Sequence, residues 1–158
     1  MTDFAALLAT LGGHGVAFIV VGGAAAVAHG SARLTQDLDI VYERSPANLD
    51  RLVAALAAYQ PYLRGVPPGL PFLWDRATLA RGLNFTLTTS LGDIDLLGEI
   101  PGGGAYQDLL PGAISLNLFQ TRCLSLSLRQ LIRAKRAAGR PKDLEALAEL
   151  EAIEEEEN

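Results

Sequence analysis

The chain has 158 residues, 49% hydrophobic and 20% charged, with a formal net charge of −5. That length suits a single domain over residues 1–158 with a sizeable core, and that composition is globular and soluble rather than disordered, collagenous or low-complexity. A lone cysteine, Cys123, excludes an internal disulfide and gives no metal-ligand spacing, so a plain buried thiol and a cytoplasmic location are expected.

The net charge conceals a segregation. From Glu145 onward there are seven glutamates and no basic residue, while residues 1–144 hold 13 basic and 11 acidic side chains, a net of +2. Seven of the basic residues lie between Arg122 and Lys142, a stretch without an acid. The body could therefore face a polyanion although the whole chain is acidic. The acidic tail, 154–158, reads as a solvated helix end.

In chain order, residues 3–11 read as a short helix and Gly12-Gly13-His14-Gly15 as a loop. Ala17 to Val21 is a buried strand of β-branched and aromatic type. Gly22-Gly23 then turns the chain into an alanine-rich helix, Ala24 to His29. The run Val16 to Ala28 has the hydropathy of a signal-peptide core, but no Lys or Arg precedes it, a glycine pair interrupts it, and it is too short to span a bilayer. Neither a targeting segment nor a membrane partner is expected.

Asp37 to Tyr42 is the second strand. Ser45-Pro46 opens a helix as N-cap and first helical residue, running to about Tyr59. Pro61 to Pro71, with four prolines and two glycines, is irregular and reads as a connection or a lid. A short helix over Asp75 to Ala80 precedes a strand from Asn84 to Ser90. Leu91-Gly92 is a tight turn, and Ile94 to Leu97 pairs back as a hairpin. After Gly102-Gly103-Gly104 come one helical turn and two strands, Ile114 to Leu118 and Arg122 to Leu126. Two helices, 127–138 and 142–154, close the chain, separated by Gly139 and Pro141. The class is α/β: a mixed sheet flanked by helices, with a C-terminal helical pair.

The chemistry is concentrated in Thr35-Gln36-Asp37-Leu38-Asp39-Ile40-Val41. Side chains alternate along a strand, so Asp37 and Asp39 share one face while Leu38 and Ile40 share the other. Two adjacent carboxylates repel unless a cation or a proton sits between them, and a divalent metal carrying phosphate answers that need. Gly92-Asp93-Ile94-Asp95 offers a third ligand. Asp93 abuts the turn, where Asp is ordinary, whereas Asp95 stands mid-strand, where it is disfavoured. Gly22 and Gly23, at a strand-to-helix turn, allow close approach of a phosphate. On helix 127–138, Leu128, Leu131, Ile132 and Lys135 follow the spacing of the apolar face, directing Lys135 at the core or a cleft, with snorkelling as the alternative. Arg129, Arg133, Arg136 and Arg140 form a separate stripe, most simply solvated. Arg33 can bind phosphate or cap the preceding helix, and Asp143 sits in the first turn of the last helix. His14, His29, Phe72 and Trp74 are read as structural.

Val20-Val21-Gly22-Gly23, His29-Gly30, Arg33, Thr35 and Asp37-Leu38-Asp39 together resemble the Gly-Gly…Asp-x-Asp signature of the polymerase-beta-like nucleotidyltransferase superfamily. The close of the chain, Leu131 to Leu144, is similar to the C-terminal motif of AbiEii-like and related minimal nucleotidyltransferases. The resemblance spans about 17 to 150 and is weakest over 60–80. It implies a polymerase-beta-like fold, Mg2+, and transfer of a nucleoside monophosphate from a nucleoside triphosphate to a hydroxyl. Catalytic and metal roles fall on Asp37, Asp39 and Asp95, and nucleotide-binding roles on Gly22, Gly23, Arg33, Lys135, Lys142 and Asp143. Several relatives are toxins of toxin–antitoxin pairs and some modify tRNA ends, so RNA or protein is the implied acceptor and a cognate antitoxin an implied partner. Many members carry Ser directly after the first glycine, and Gly23 departs from that pattern. Two alternatives stay open: a degenerate, non-catalytic binding partner or regulator, and an aminoglycoside-type adenylyltransferase, ranked lower because the short chain offers no acidic substrate domain.

Overall fold

The computed structural model describes residues 1–157. Asp3 accepts the Ala6 N–H at 3.0 Å and so caps helix α1, Phe4–Gly13, which buries Leu7, Leu8 and Leu11. Strand β1, Phe18–Val21, is buried at all four positions, which explains its unbroken apolar run. Helix α2, Gly22–Ala28, starts at the glycine pair itself, two residues earlier than expected, because a φ of +63° at Gly22 makes the turn in one residue.

Strand β2, Asp37–Tyr42, alternates as its sequence requires: Leu38 and Ile40 are buried, while Asp37 and Asp39 are half-buried on the other face. Helix α3 spans Pro46–Leu56, with the Ser45 side chain accepting from the Asn48 N–H, and tightens into a 3-10 turn over Ala57–Tyr59. The irregular proline-rich stretch carries an unforeseen strand, β3, Tyr62–Leu63. Asp75 caps α4, Arg76–Arg81. Strands β4, Phe85–Thr89, and β5, Gly92–Leu97, form the expected hairpin. A small hairpin of β6, Glu99–Ile100, and β7, Gly104–Ala105, leads into the short α5, Tyr106–Leu109.

Strands β8, Ile114–Leu118, and β9, Thr121–Ser125, precede α6, Leu128–Ala138. Helix α6 opens on a reciprocal Ser127–Gln130 capping box and ends on Gly139 at φ +66°. Helix α7 spans Pro141–Glu157, so the acidic end stays helical beyond the expected limit of 154.

Seven strands form one mixed sheet in the order β3-β4-β5-β2-β1-β9-β8. The contacts β2–β5 and β1–β9 are parallel and the others antiparallel. One continuous hydrophobic cluster joins the sheet to its helices, from Leu7 in α1 to Leu150 in α7. Phe72 and Trp74 pack against this cluster, and the Trp74 indole donates to Val53 O at 2.9 Å, an anchoring role as expected.

Asn48 is a polar side chain that is fully buried. Its Oδ1 accepts the Ala17 N–H at 2.7 Å, and its Nδ2 donates to Ala17 O at 3.0 Å and Glu43 O at 2.7 Å. The amide thus ties α3 to the segments flanking β1 and β2. Asn48→Ala strands buried backbone groups, and each orphan costs roughly 1–3 kcal/mol. We expect urea denaturation of Asn48→Ala to show a loss of about 3 kcal/mol, toward the top of that range, with the native circular dichroism spectrum retained.

Candidate active site

Parallel pairing of β2 and β5 sets Asp37 against Asp93 and Asp39 against Asp95 in register. Four carboxylates therefore crowd one face of two adjacent strands. Asp37, Asp39 and Asp95 each bring one oxygen within 4.8 Å of the others. The structure thus assembles the three carboxylates that the sequence singles out, and leaves Asp93 beside them.

Asp39 is the most constrained of the four. Its Oδ1 is buried and has no hydrogen-bond partner. Its pKa is pushed up from 3.8 to about 7, first by burial, then by the Asp95 charge and contact and by Asp37, while Lys135 acts in the opposite direction. The Asp39 Oδ2 lies where a Cβ at Gly22 would stand, so only glycine permits this approach of β2 to the start of α2. A Cβ at Gly23 would lie 2.6 Å from Thr35 Oγ1. Gly23 therefore has no room for the serine seen in similar proteins, and Thr35 presents a hydroxyl at that point of the cavity wall instead. The first demand on the glycine pair comes from these two side chains.

Two adjoining cavities of about 140 and 270 Å³ open beside Asp39. Both are bordered by Gly22, Lys135, Arg140 and Asp143. The larger extends past Gly23 and Thr35 to Arg33 and Lys142. Lys135 faces this cleft, as its helical position predicts, with Nζ 3.5 Å from Asp143 Oδ1. Asp143 is only 1% exposed and is held by Arg140 Nε at 2.6 Å, whose hydrogen bond keeps its pKa below the usual carboxylate range. Within the cleft Asp143 thus acts as an internal counter-ion that fixes Lys135 and Arg140. Arg33 stands at the rim, 3.6 Å from Glu149, which also accepts from Ser31 Oγ and Ala32 N–H. Lys142 lines the cavity with no ion pair among the described residues. His29 Nε2 donates to the Leu126 carbonyl oxygen at 2.9 Å, away from the aspartate cluster.

The residue missed by sequence reasoning is Arg64. It lies one position past β3, its N–H bonded to Thr86 O at 2.9 Å. Its guanidinium reaches Asp95 Oδ1 at 2.8 Å and stands 3.5 Å from both Asp37 Oδ2 and Asp93 Oδ2. A single arginine amid prolines and glycines carries no periodic signal, and only the pairing of β3 with β4 reveals its position.

The donor set suits a divalent cation of hard character. Oxygen ligands converge from two rigid strands, one buried oxygen has no partner, and the local charge is strongly negative. Asp37, Asp39 and Asp95 are the residues that would hold it.

No protein-family model matches the sequence. No curated protein matches it either. Among solved structures, a lincomycin-bound lincosamide antibiotic adenylyltransferase, LnuA, shares the fold with a TM-score of 0.61 at 14% identity. The match covers 96% of this chain and 98% of that one. At such low identity the likeness establishes the architecture: the chain has a nucleotidyltransferase fold.

The raised Asp39 pKa fixes a pH dependence. Between pH about 4 and about 7 the folded chain holds a proton that the unfolded chain has released. Stability of the cation-free protein therefore falls as pH rises through that window, by at most about 1.4 kcal/mol per pH unit. Urea denaturation in the presence of a chelator should show this decline, and Asp39→Asn should flatten it. A divalent cation added at pH 7.5 should restore stability to the wild type and not to Asp39→Asn.

Proposed function

We propose that the chain is a magnesium-dependent nucleotidyltransferase, moving a nucleoside monophosphate from a nucleoside triphosphate to a hydroxyl. The observation that carries this reading is the convergence of Asp37, Asp39 and Asp95, with one buried Asp39 oxygen unpartnered and Asp39 itself bordering a cleft lined by Arg33, Lys135, Arg140 and Lys142. A bound divalent cation would supply charge neutralisation of the triphosphate and activation of the acceptor hydroxyl. Asp37, Asp39 and Asp95 would hold it, and Asp95 would also take up the proton leaving the acceptor hydroxyl. Lys135, Lys142 and Arg33 oppose the charge of the triphosphate, and Asp143 keeps the Lys135 ammonium oriented towards the cleft. Gly22 and Gly23 border the cavity beside Asp39, where the backbone at the start of α2 can meet a phosphate.

A small-molecule hydroxyl as acceptor is favoured by one specific observation. The antibiotic adenylyltransferase is coextensive with this chain, so small size is no obstacle to a small acceptor. RNA or protein acceptors, with the toxin role, are the competing reading, and a regulator without catalysis is the reading from another class.

Incubation with Mg2+ and each α-labelled nucleoside triphosphate separates these readings when the acceptors offered are hydroxylated antibiotics, total RNA and the chain itself. Label on a small molecule supports the first acceptor class, and label on RNA or protein the second. Asp95→Asn should lower transfer about 10²–10⁴-fold while nucleotide binding persists, as expected for loss of a general base. Asp39→Ala should abolish cation-dependent nucleotide binding in calorimetry. Wild-type and Asp39→Ala chains that behave alike, with no label transferred, would sink the enzyme reading.

A further inference from the structure

Arg64 is set into the sheet in a way that a simple counter-charge is not. It follows β3 and lies in the cross-strand row that continues through Thr86 and Asp95 to Asp39. From there its side chain lies over β4 and reaches β5. Nη2 donates to Leu87 O at 2.6 Å as well as to Asp95 Oδ1, with Ile94 O at 3.5 Å. Leu87 and Ile94 are themselves register partners in the β4–β5 hairpin. The guanidinium is therefore fixed by backbone carbonyls that cannot follow the carboxylates, and the carboxylates adapt to it.

Its position relative to the candidate cation ligands is also one-sided. Arg64 contacts Asp37, Asp93 and Asp95 and not Asp39, whose Oδ2 lies against Gly22 and whose side chain borders the cleft. The guanidinium thus stands behind the cluster, opposite Lys135. Asp93 Oδ2 forms an ion pair with its Nε at 3.5 Å, and this buried Nε makes no hydrogen bond. A planar, forked cation can engage several carboxylates in fixed directions, which an ammonium cannot.

From this geometry we infer that Arg64, steadied by Asp93, is a positioning residue that fixes the outer oxygens of Asp95 and Asp37 and so aims their inner oxygens at a shared divalent cation. The inference rests on the cation-binding reading above and adds to it two residues with no direct part in ligation. Outer partners of this kind change metal affinity by roughly 10–100-fold when removed.

Mn2+ binding followed by electron paramagnetic resonance tests it, using the full chain well below its melting temperature. Arg64→Lys and Arg64→Ala should each bind Mn2+ at least about tenfold more weakly than wild type. Asp93→Asn should shift affinity the same way by less. A pure counter-charge gives the opposite pattern, because removing a cation strengthens binding of another: Arg64→Ala would bind Mn2+ more tightly and Arg64→Lys like wild type. That pattern, or lowered melting temperature with unchanged Mn2+ affinity, overturns the inference alone. Should Arg64→Ala not fold, Arg64→Lys decides. A wild type that binds Mn2+ no better than Asp39→Ala overturns the cation reading and this inference together.

Discussion

Four carboxylates in register on two parallel strands set the terms for the rest of the molecule. Neighbouring strands lie about 4.8 Å apart, and like charges directly opposite one another destabilise a sheet. Asp37 opposite Asp93 and Asp39 opposite Asp95 violate that rule twice on one face. The surrounding elements supply the compensation from two directions. Strand β3 at the sheet edge brings Arg64 against Asp37, Asp93 and Asp95, and α6 brings Lys135 near Asp39. Two short segments far apart in sequence are thus required by one local repulsion.

The compensation is incomplete at Asp39, and that incompleteness has chemical content. Arg64 leaves Asp39 untouched, and the Lys135 ammonium is shared with Asp143. The buried Asp39 carboxylate must then take a proton or a cation, since an unpaired buried charge is the costliest of the three states. Close packing by Gly22 sharpens the choice, because the missing Cβ lets the carboxylate lie against the turn and lose water. The same glycine conformation opens the cleft beside it. A demand created by backbone geometry and a site able to meet it with phosphate-bound metal arise from the same residue.

Much of this was legible in the chain. The alternation of Asp37-Leu38-Asp39-Ile40 determines which face the acids occupy, and burial follows it position by position. Caps at Ser45 and Ser127 and the glycine at 139 mark helix ends through local chemistry. Arg64 was not legible, because its role depends on β3 pairing at an edge with strands more than twenty residues away, and a two-residue strand has no period. Nor was the register of β2 with β5: alternation identifies a face but not which residue of a distant strand lies opposite. The room beside Gly23 was hidden for a similar reason. A missing hydroxyl reads as a loss in sequence, whereas in space Thr35 occupies that position.

The basic run between Arg122 and Lys142 acquires a different meaning once folded. Helix α6 carries one arginine stripe and an apolar face on which Lys135 is the charged residue bordering the cleft. Arg129, Arg133 and Arg136 line a separate cavity of about 630 Å³, which shares no residue with the acid cluster. Across that cavity stand Glu154 and Glu157 of α7, and Arg136 pairs with Glu151 at 3.0 Å. The acidic end and the basic stripe, segregated in sequence, are folded back along one another. Much of the body's excess positive charge is thereby opposed within the chain, so attraction for an anionic ligand is focused where cations meet the carboxylates, at Lys135, Lys142 and Arg33. Charge segregation in the sequence therefore serves the helix pair first, and α7 also anchors the cleft cations, with Glu149 beside Arg33 and Asp143 beside Lys135 and Arg140.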